Sequence, residues 1–158
     1  MKVWRICREH YAGTALSGQG ARLAAGRWNS LGVPMVYTSS SLALAAVEVF
    51  VHVKAEDEPE DLVSVCVDVP VEDAVVEREK RRVLSQLTAD WRYGDPRLTL
   101  SIGDAWIVSS TSVALPVPSV VIAGEWNVLL NPAHREAGRI RVLETQPFRV
   151  DPRMFKIR

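Results

Sequence analysis

The chain has 158 residues, 47% of them hydrophobic, and nineteen basic side chains balance nineteen acidic ones for a formal net charge of zero. That length suits one domain with a real core rather than two. The balanced charge excludes the electrostatic footprint of a nucleic-acid binder and gives little steering toward a membrane surface. No apolar run approaches the roughly eighteen residues of a membrane span and no signal-peptide core is visible, so the expected compartment is the cytoplasm.

Residues 3–7 alternate around Arg5 and predict a short strand that turns Arg5 to the same face as Val3 and Cys7. An arginine on an apolar face needs a partner. Residues 12–26, with Gly13, Gly18, Gly20 and Gly26, predict a loop that lets backbone approach something closely. Residues 33–38 form a second strand, with Pro34 at its start or on an edge. Ser39, Ser40 and Ser41 then offer N-cap oxygens to a helix over residues 42–53. That helix is apolar on both sides and is expected to be buried, which leaves Glu48 and His52, at i and i+4, with little water around them.

Residues 54–61 are acidic, contain Pro59 and predict a solvated loop, while residues 62–69 alternate as a half-buried strand. The charged stretch 72–91 predicts a solvated, partly helical face. Asp95-Pro96 opens a helix that runs to about Ser109. Beyond it, residues 113–115, 119–123, 139–143 and 148–150 are short strand-like runs separated by prolines. The pattern predicts a single α+β domain over residues 1–158, with short, mostly antiparallel strands and a few helices. Cys7 and Cys66 lie inside strand-like runs with no metal-ligand spacing, so both are expected to be buried thiols.

Glu48 is the leading candidate for chemistry, because taking a carboxylate out of water is unfavourable unless something pairs with it. A structural ion pair with Arg5 or Arg27 is the alternative. His52 can simply hydrogen-bond to Glu48, and His10, His52 and His134 show no zinc-binding spacing. Arg27, between Gly26 and Trp28-Asn29, has the planar donor fork suited to phosphate, or else makes a surface salt bridge. The glycines match neither dinucleotide fingerprint, and Ser119 has no hydrolase setting but remains a candidate ligand-facing hydroxyl. Asn127, Asn131 and His134 fit turn or cap roles equally well.

Several ordered motifs resemble the RES domain family, whose name records an arginine, a glutamate and a serine. They are Gly26-Arg27-Trp28-Asn29 with Gly32, Pro34 and Tyr37; Leu44-Ala45-Ala46-Val47-Glu48-Val49 with His52; Gly103-Asp104-Ala105-Trp106; Val117-Pro118-Ser119; Asn127 through His134; and the closing Pro147 to Arg153. Ala25 departs from the second glycine the family often has there. The resemblance implies an ADP-ribosyltransferase-like fold and the toxin half of a bacterial toxin–antitoxin pair. It also implies NAD+ as substrate, with no cofactor and no metal, and an Xre-type helix-turn-helix antitoxin as partner that supplies the DNA contacts. Glu48, Arg27 and Tyr37 take the catalytic roles, with Glu48 at the ribose. Arg5, Arg27, Tyr37, Ser119 and Asn131 contact the dinucleotide. Hydrolysis of NAD+, transfer of ADP-ribose to a protein, and a catalytically idle corepressor are the three activities compatible with this pattern.

Overall fold

The computed structural model describes residues 1–53, 59–151 and 153. Most of the loop expected at 54–61, and Pro152 of the closing motif, lie outside the described residues. Six strands form one sheet: β1 Lys2–Arg8, β2 Val36–Ser39, β3 Leu62–Asp68, β4 Ala114–Pro118, β5 Trp126–Leu130 and β6 Arg141–Pro147. Their order is β4-β5-β2-β1-β3-β6, and every pairing is antiparallel. Among the described residues four α-helices accompany it: α1 Gln19–Leu23, α2 Leu42–Phe50, α3 Asp73–Gln86 and α4 Arg97–Ser109. The α+β, antiparallel expectation is met.

Two cores lie against the sheet. Val3, Val36, Val65, Val67, Val128 and Leu130 form one. The other brings Trp28, Val83 of α3, and Ile102 and Trp106 of α4 onto Leu115 and Leu129. A smaller cluster joins Ile6, Ala45 of α2 and Leu62, with Phe148 packed against it. Pro116 and Pro118 are tolerated in β4 because that strand is an edge of the sheet.

The sequence expectations need correcting in several places. Residues 119–123 are a turn, not a strand, because the Ser119 hydroxyl accepts the backbone N–H groups of Val121 and Ile122 and curls the chain. The strand instead follows at β5, which takes in Asn127, a residue that in the sequence fits a turn or cap role equally well. Residues 148–150 add no strand either, although Phe148 N–H still bonds Leu62 O at 2.8 Å. Residues 12–26 include the short helix α1. β3 is buried through residue 67 rather than half buried, since it lies inside the sheet with β1 and β6 on its two sides. The charged run on α3 holds a carboxylate, Glu79, only 2% exposed and bonded by Arg78 at 3.1 Å and Arg82 at 2.7 Å. Finally, α2 is not buried all round: only Leu44 and Ala45 are fully covered, His52 is exposed, and Val51 is 50% exposed. Ala45 packs on Ile6 and Leu62, and the same side of the helix, with Ala45, Glu48 and Val49, lines a cavity.

Candidate active site

β1 pairs with β3 from Lys2 to Arg8 but with β2 only at Trp4↔Ser39, so the sheet parts between its two middle strands. Arg5 bridges the parting, its Nη1 donating to the Tyr37 carbonyl at 3.0 Å. A cavity of about 790 Å³ opens here. Arg5 of β1, Arg27, Tyr37 of β2, Glu48 of α2 and Asn127 of β5 all line it. A second cavity, of about 520 Å³, sits beside the start of α3 and is lined by His134 but by none of the expected site residues.

Glu48 is brought to the wall by a helix that Ser41 caps, its Oγ accepting the Leu44 N–H at 3.1 Å. Two donors meet the carboxylate at one oxygen, Oε1: the Ser119 hydroxyl at 2.7 Å and the Asn127 Nδ2 at 2.5 Å. The Ser119 oxygen is 0% exposed and accepts the Val121 and Ile122 N–H groups, so its one proton is directed at Glu48. Ser119 therefore holds Glu48 from behind rather than presenting a hydroxyl to a ligand. Its own carbonyl accepts from Arg92 at 3.2 Å.

The loop that carries Arg27 is knotted around Asn29, which is 0% exposed. Asn29 Nδ2 donates to the Ala21 carbonyl at 2.8 Å, and its Oδ1 accepts the Gly26 N–H at 3.1 Å and the Tyr37 hydroxyl at 2.7 Å. The same Tyr37 oxygen accepts the Trp28 N–H at 3.1 Å. A Cβ at Gly26 would come 2.5 Å from the Tyr37 oxygen, so only glycine lets the loop close on this knot. Tyr37 thus anchors the loop through its hydroxyl while its ring lines the cavity. Burial pushes its phenol up to about 12. Asp104 on α4 fixes the far side of the loop, its Oδ1 accepting the Ser30 N–H at 3.0 Å.

The arginines have not been matched in full. Arg5 Nε and Arg27 Nη1 are buried without a hydrogen-bond partner among the described residues. Burial pulls the Arg5 guanidinium below its usual value and pushes the neighbouring Cys7 thiol up, each partly offset by the other.

Of the expected site residues, the structure gathers Arg5, Arg27, Tyr37, Glu48 and Ser119 in one place. Asn131 is not among them: it is 1% exposed, its Nδ2 donates to Ile107 O and its Oδ1 accepts the Ala133 N–H, which makes it the turn residue after β5. Sequence reasoning missed Asn29 and left Asn127 open. An asparagine inside a glycine-rich turn is the one signal that pointed to the first. The second needed the pairing of β5 with β2.

Comparison with known proteins identifies the family. The RES domain family matches residues 2–151. A protein of Sphingobium sp. (strain YBL2) named "Prs ADP-ribosylating toxin" is 36% identical over 97% of this chain and 96% of its own length. A "Toxin Res" of Photorhabdus laumondii is 34% identical over 99% and 98%. Among solved structures, the Mycobacterium tuberculosis MbcT–MbcA toxin–antitoxin complex superposes with a TM-score of 0.67 at 19% identity, covering 98% of this chain and 86% of the matched one, a likeness of fold. The chain belongs to the RES domain family.

Proposed function

We propose that the protein is the toxin of a bacterial toxin–antitoxin pair and cleaves the bond between nicotinamide and ribose in NAD+. The observation that carries this reading is the pair of buried, unpartnered guanidinium donors, Arg5 Nε and Arg27 Nη1, on the wall that also bears Glu48. A buried N–H without an acceptor is unfavourable, and a diphosphate supplies acceptors to both forks. Breaking the glycosidic bond sends its electron pair out with nicotinamide and leaves an oxocarbenium-like ribose. The Glu48 carboxylate stabilises that positive charge and orients the attacking group. The Tyr37 ring offers a face to nicotinamide. Water as acceptor gives free ADP-ribose and one proton.

A second reading, transfer of ADP-ribose to a protein nucleophile, is favoured by the name of the 36% identical relative. Both use the same pocket and differ in which nucleophile reaches C1′. The relatives' names and the solved toxin–antitoxin complex support an antitoxin partner. In this reading it is of the Xre type, covers the cavity and makes the operator contacts, which a chain of zero net charge is poorly suited to make.

The test is incubation of the purified protein with NAD+ labelled in the adenosine half, following free nicotinamide, free ADP-ribose and protein-bound label. Glu48→Gln keeps size and removes charge, so nicotinamide release falls about a hundredfold or more while circular dichroism is unchanged. A folded Glu48→Gln protein that releases nicotinamide at the wild-type rate refutes the mechanism, and a wild type that releases none refutes the activity.

A further inference from the structure

We infer that Asn127, itself held by Ser39, is a positioning residue that fixes Glu48 with Oε1 occupied and Oε2 left for the reacting ribose. The inference rests on the functional reading above for its consequence, but its geometry stands on its own. Asn127 lies in β5 directly opposite Ser39 of β2. Its Nδ2 donates to Glu48 Oε1 at 2.5 Å, and its Oδ1 accepts the Ser39 hydroxyl at 2.7 Å.

The direction of this relay is set by chemistry. Ser119 already gives its only proton to Glu48 Oε1, because its lone pairs hold two backbone N–H groups. Oε1 is therefore an acceptor, and a flipped Asn127 would bring its own acceptor against it at hydrogen-bonding distance. The amide must present Nδ2, and Ser39 must then donate to Oδ1. Two elements meet at one carboxylate oxygen, the start of β5 and the turn after β4, and the end of β2 braces the first through Ser39. A glutamate side chain with three rotatable bonds is thereby held in one rotamer, and Oε2 receives no bond among the described residues. A carboxylate fixed in this way works on substrate through one oxygen of known place, which is what electrostatic stabilisation of a developing cation requires.

The other ionisable side chains that line the cavity are Arg5 from β1, Arg27 from the loop before β2, Tyr37 from β2 and His52 from the turn after α2. None of these bonds Glu48 among the described residues, so removing Asn127 takes away one of the two donors that hold its carboxylate in place.

The experiment compares wild type with Asn127→Ala, Asn127→Asp and Ser39→Ala. In Asn127→Ala, kcat for nicotinamide release falls roughly ten- to a hundredfold with KM little changed. Asn127→Asp, which sets a second carboxylate against Oε1, lowers kcat further. Ser39→Ala removes the brace on the amide and gives a smaller fall in kcat with KM again little changed; it carries the test if Asn127→Ala fails to fold. A folded Asn127→Ala protein with the wild-type kcat overturns the inference. Side-chain scalar couplings of 13C-labelled Glu48, read by nuclear magnetic resonance, need no turnover and separate this failure from failure of the activity. If the wild type proves inactive on NAD+, couplings that change from a single Glu48 rotamer to averaged values in Asn127→Ala still support the positioning role, and unchanged couplings overturn it.

Discussion

Gly103→Ala separates local propensity from tertiary packing, because the two predict opposite signs. Gly103 lies within α4, where alanine is favoured over glycine by up to about 1 kcal/mol on helix propensity alone. In the fold, a Cβ at that position would stand 1.8 Å from the Trp28 carbonyl oxygen and 3.2 Å from the Trp28 Cβ. Ordinary contacts begin above 3 Å, so α4 and the loop must move apart by more than an ångström. Overpacking of that kind destabilises by about 1–3 kcal/mol. The shift also strains the neighbouring bond from Ser30 N–H to Asp104, a charge-assisted contact of about 1.5–3 kcal/mol. Set against the propensity gain, the net loss is about 3 kcal/mol, or a fall in Tm of about 6–12 °C for a domain of this size. Thermal unfolding followed by circular dichroism measures it. A variant as stable as wild type, or more so, refutes the account of why this helix carries a glycine.

Other outcomes follow from the same contacts. Tyr37→Phe removes the hydroxyl that ties Trp28 to Asn29, so it lowers stability by about 1–3 kcal/mol, measurable by urea unfolding. The folded phenol is raised to about 12 from an unfolded value near 10, so its contribution is fully present below about pH 10 and is lost as pH rises through about 12. Alkaline difference spectroscopy near 295 nm sees this as one tyrosine of the three in the chain titrating late, and Tyr37→Phe removes that step. Ser119→Ala takes from Glu48 a donor and from Val121 and Ile122 an acceptor, so it lowers both kcat and Tm. A loss of kcat without any loss of Tm counts against the buried hydroxyl as the organiser of that turn.

The sequence was readable wherever one element decides its own structure. Residues 3–7 and 62–69 alternate, Asp95 caps the helix that starts at Arg97 through its Oδ1, and Ser41 caps α2. It was misread where a side chain decides the backbone from outside the local pattern. The run Ser119-Val120-Val121-Ile122-Ala123 has strand composition, yet one serine hydroxyl curls it into a turn. Asn127 and Asn131 look like turn residues on either side of Val128-Leu129-Leu130, yet only the second ends a strand. The first is polar within a strand because its neighbour across space is Glu48. Glu79 hid in a charged run for a related reason: its two arginine partners are on its own helix, so nothing in the periodicity distinguished a buried carboxylate from a solvated one. The candidate site residues were legible as types and as an order along the chain. Their division of labour, Ser119 behind Glu48 and the Tyr37 hydroxyl in the loop knot, needed the pairing of β2 with β1 and β5.

The two arginines are chemically alike but built differently, and that difference predicts opposite effects on stability. Arg5 holds the Tyr37 carbonyl across the parted sheet, whereas Arg27 makes no hydrogen bond among the described residues and buries an unpartnered Nη1. Removing Arg5 therefore costs the free protein a structural bond. Removing Arg27 relieves it of an unmatched donor, a penalty of about 1–3 kcal/mol when complete and nearer 1 for a side chain that is only half buried. Arg27→Met, which keeps the length and apolar stem, should raise Tm by about 2–4 °C, while Arg5→Met lowers it. Ligand reverses the order. If the proposed function holds, saturating NAD+ raises the Tm of the wild type by mass action and leaves Arg27→Met nearly unmoved, because the guanidinium assigned to the diphosphate is gone. Arg27→Lys does not restore the response, since a single ammonium lacks the planar fork. Differential scanning fluorimetry with and without NAD+ reads all four proteins side by side. If Arg27→Met lowers the Tm of the free protein, the guanidinium is holding the fold, and the argument that it is kept unpartnered for an anionic ligand fails.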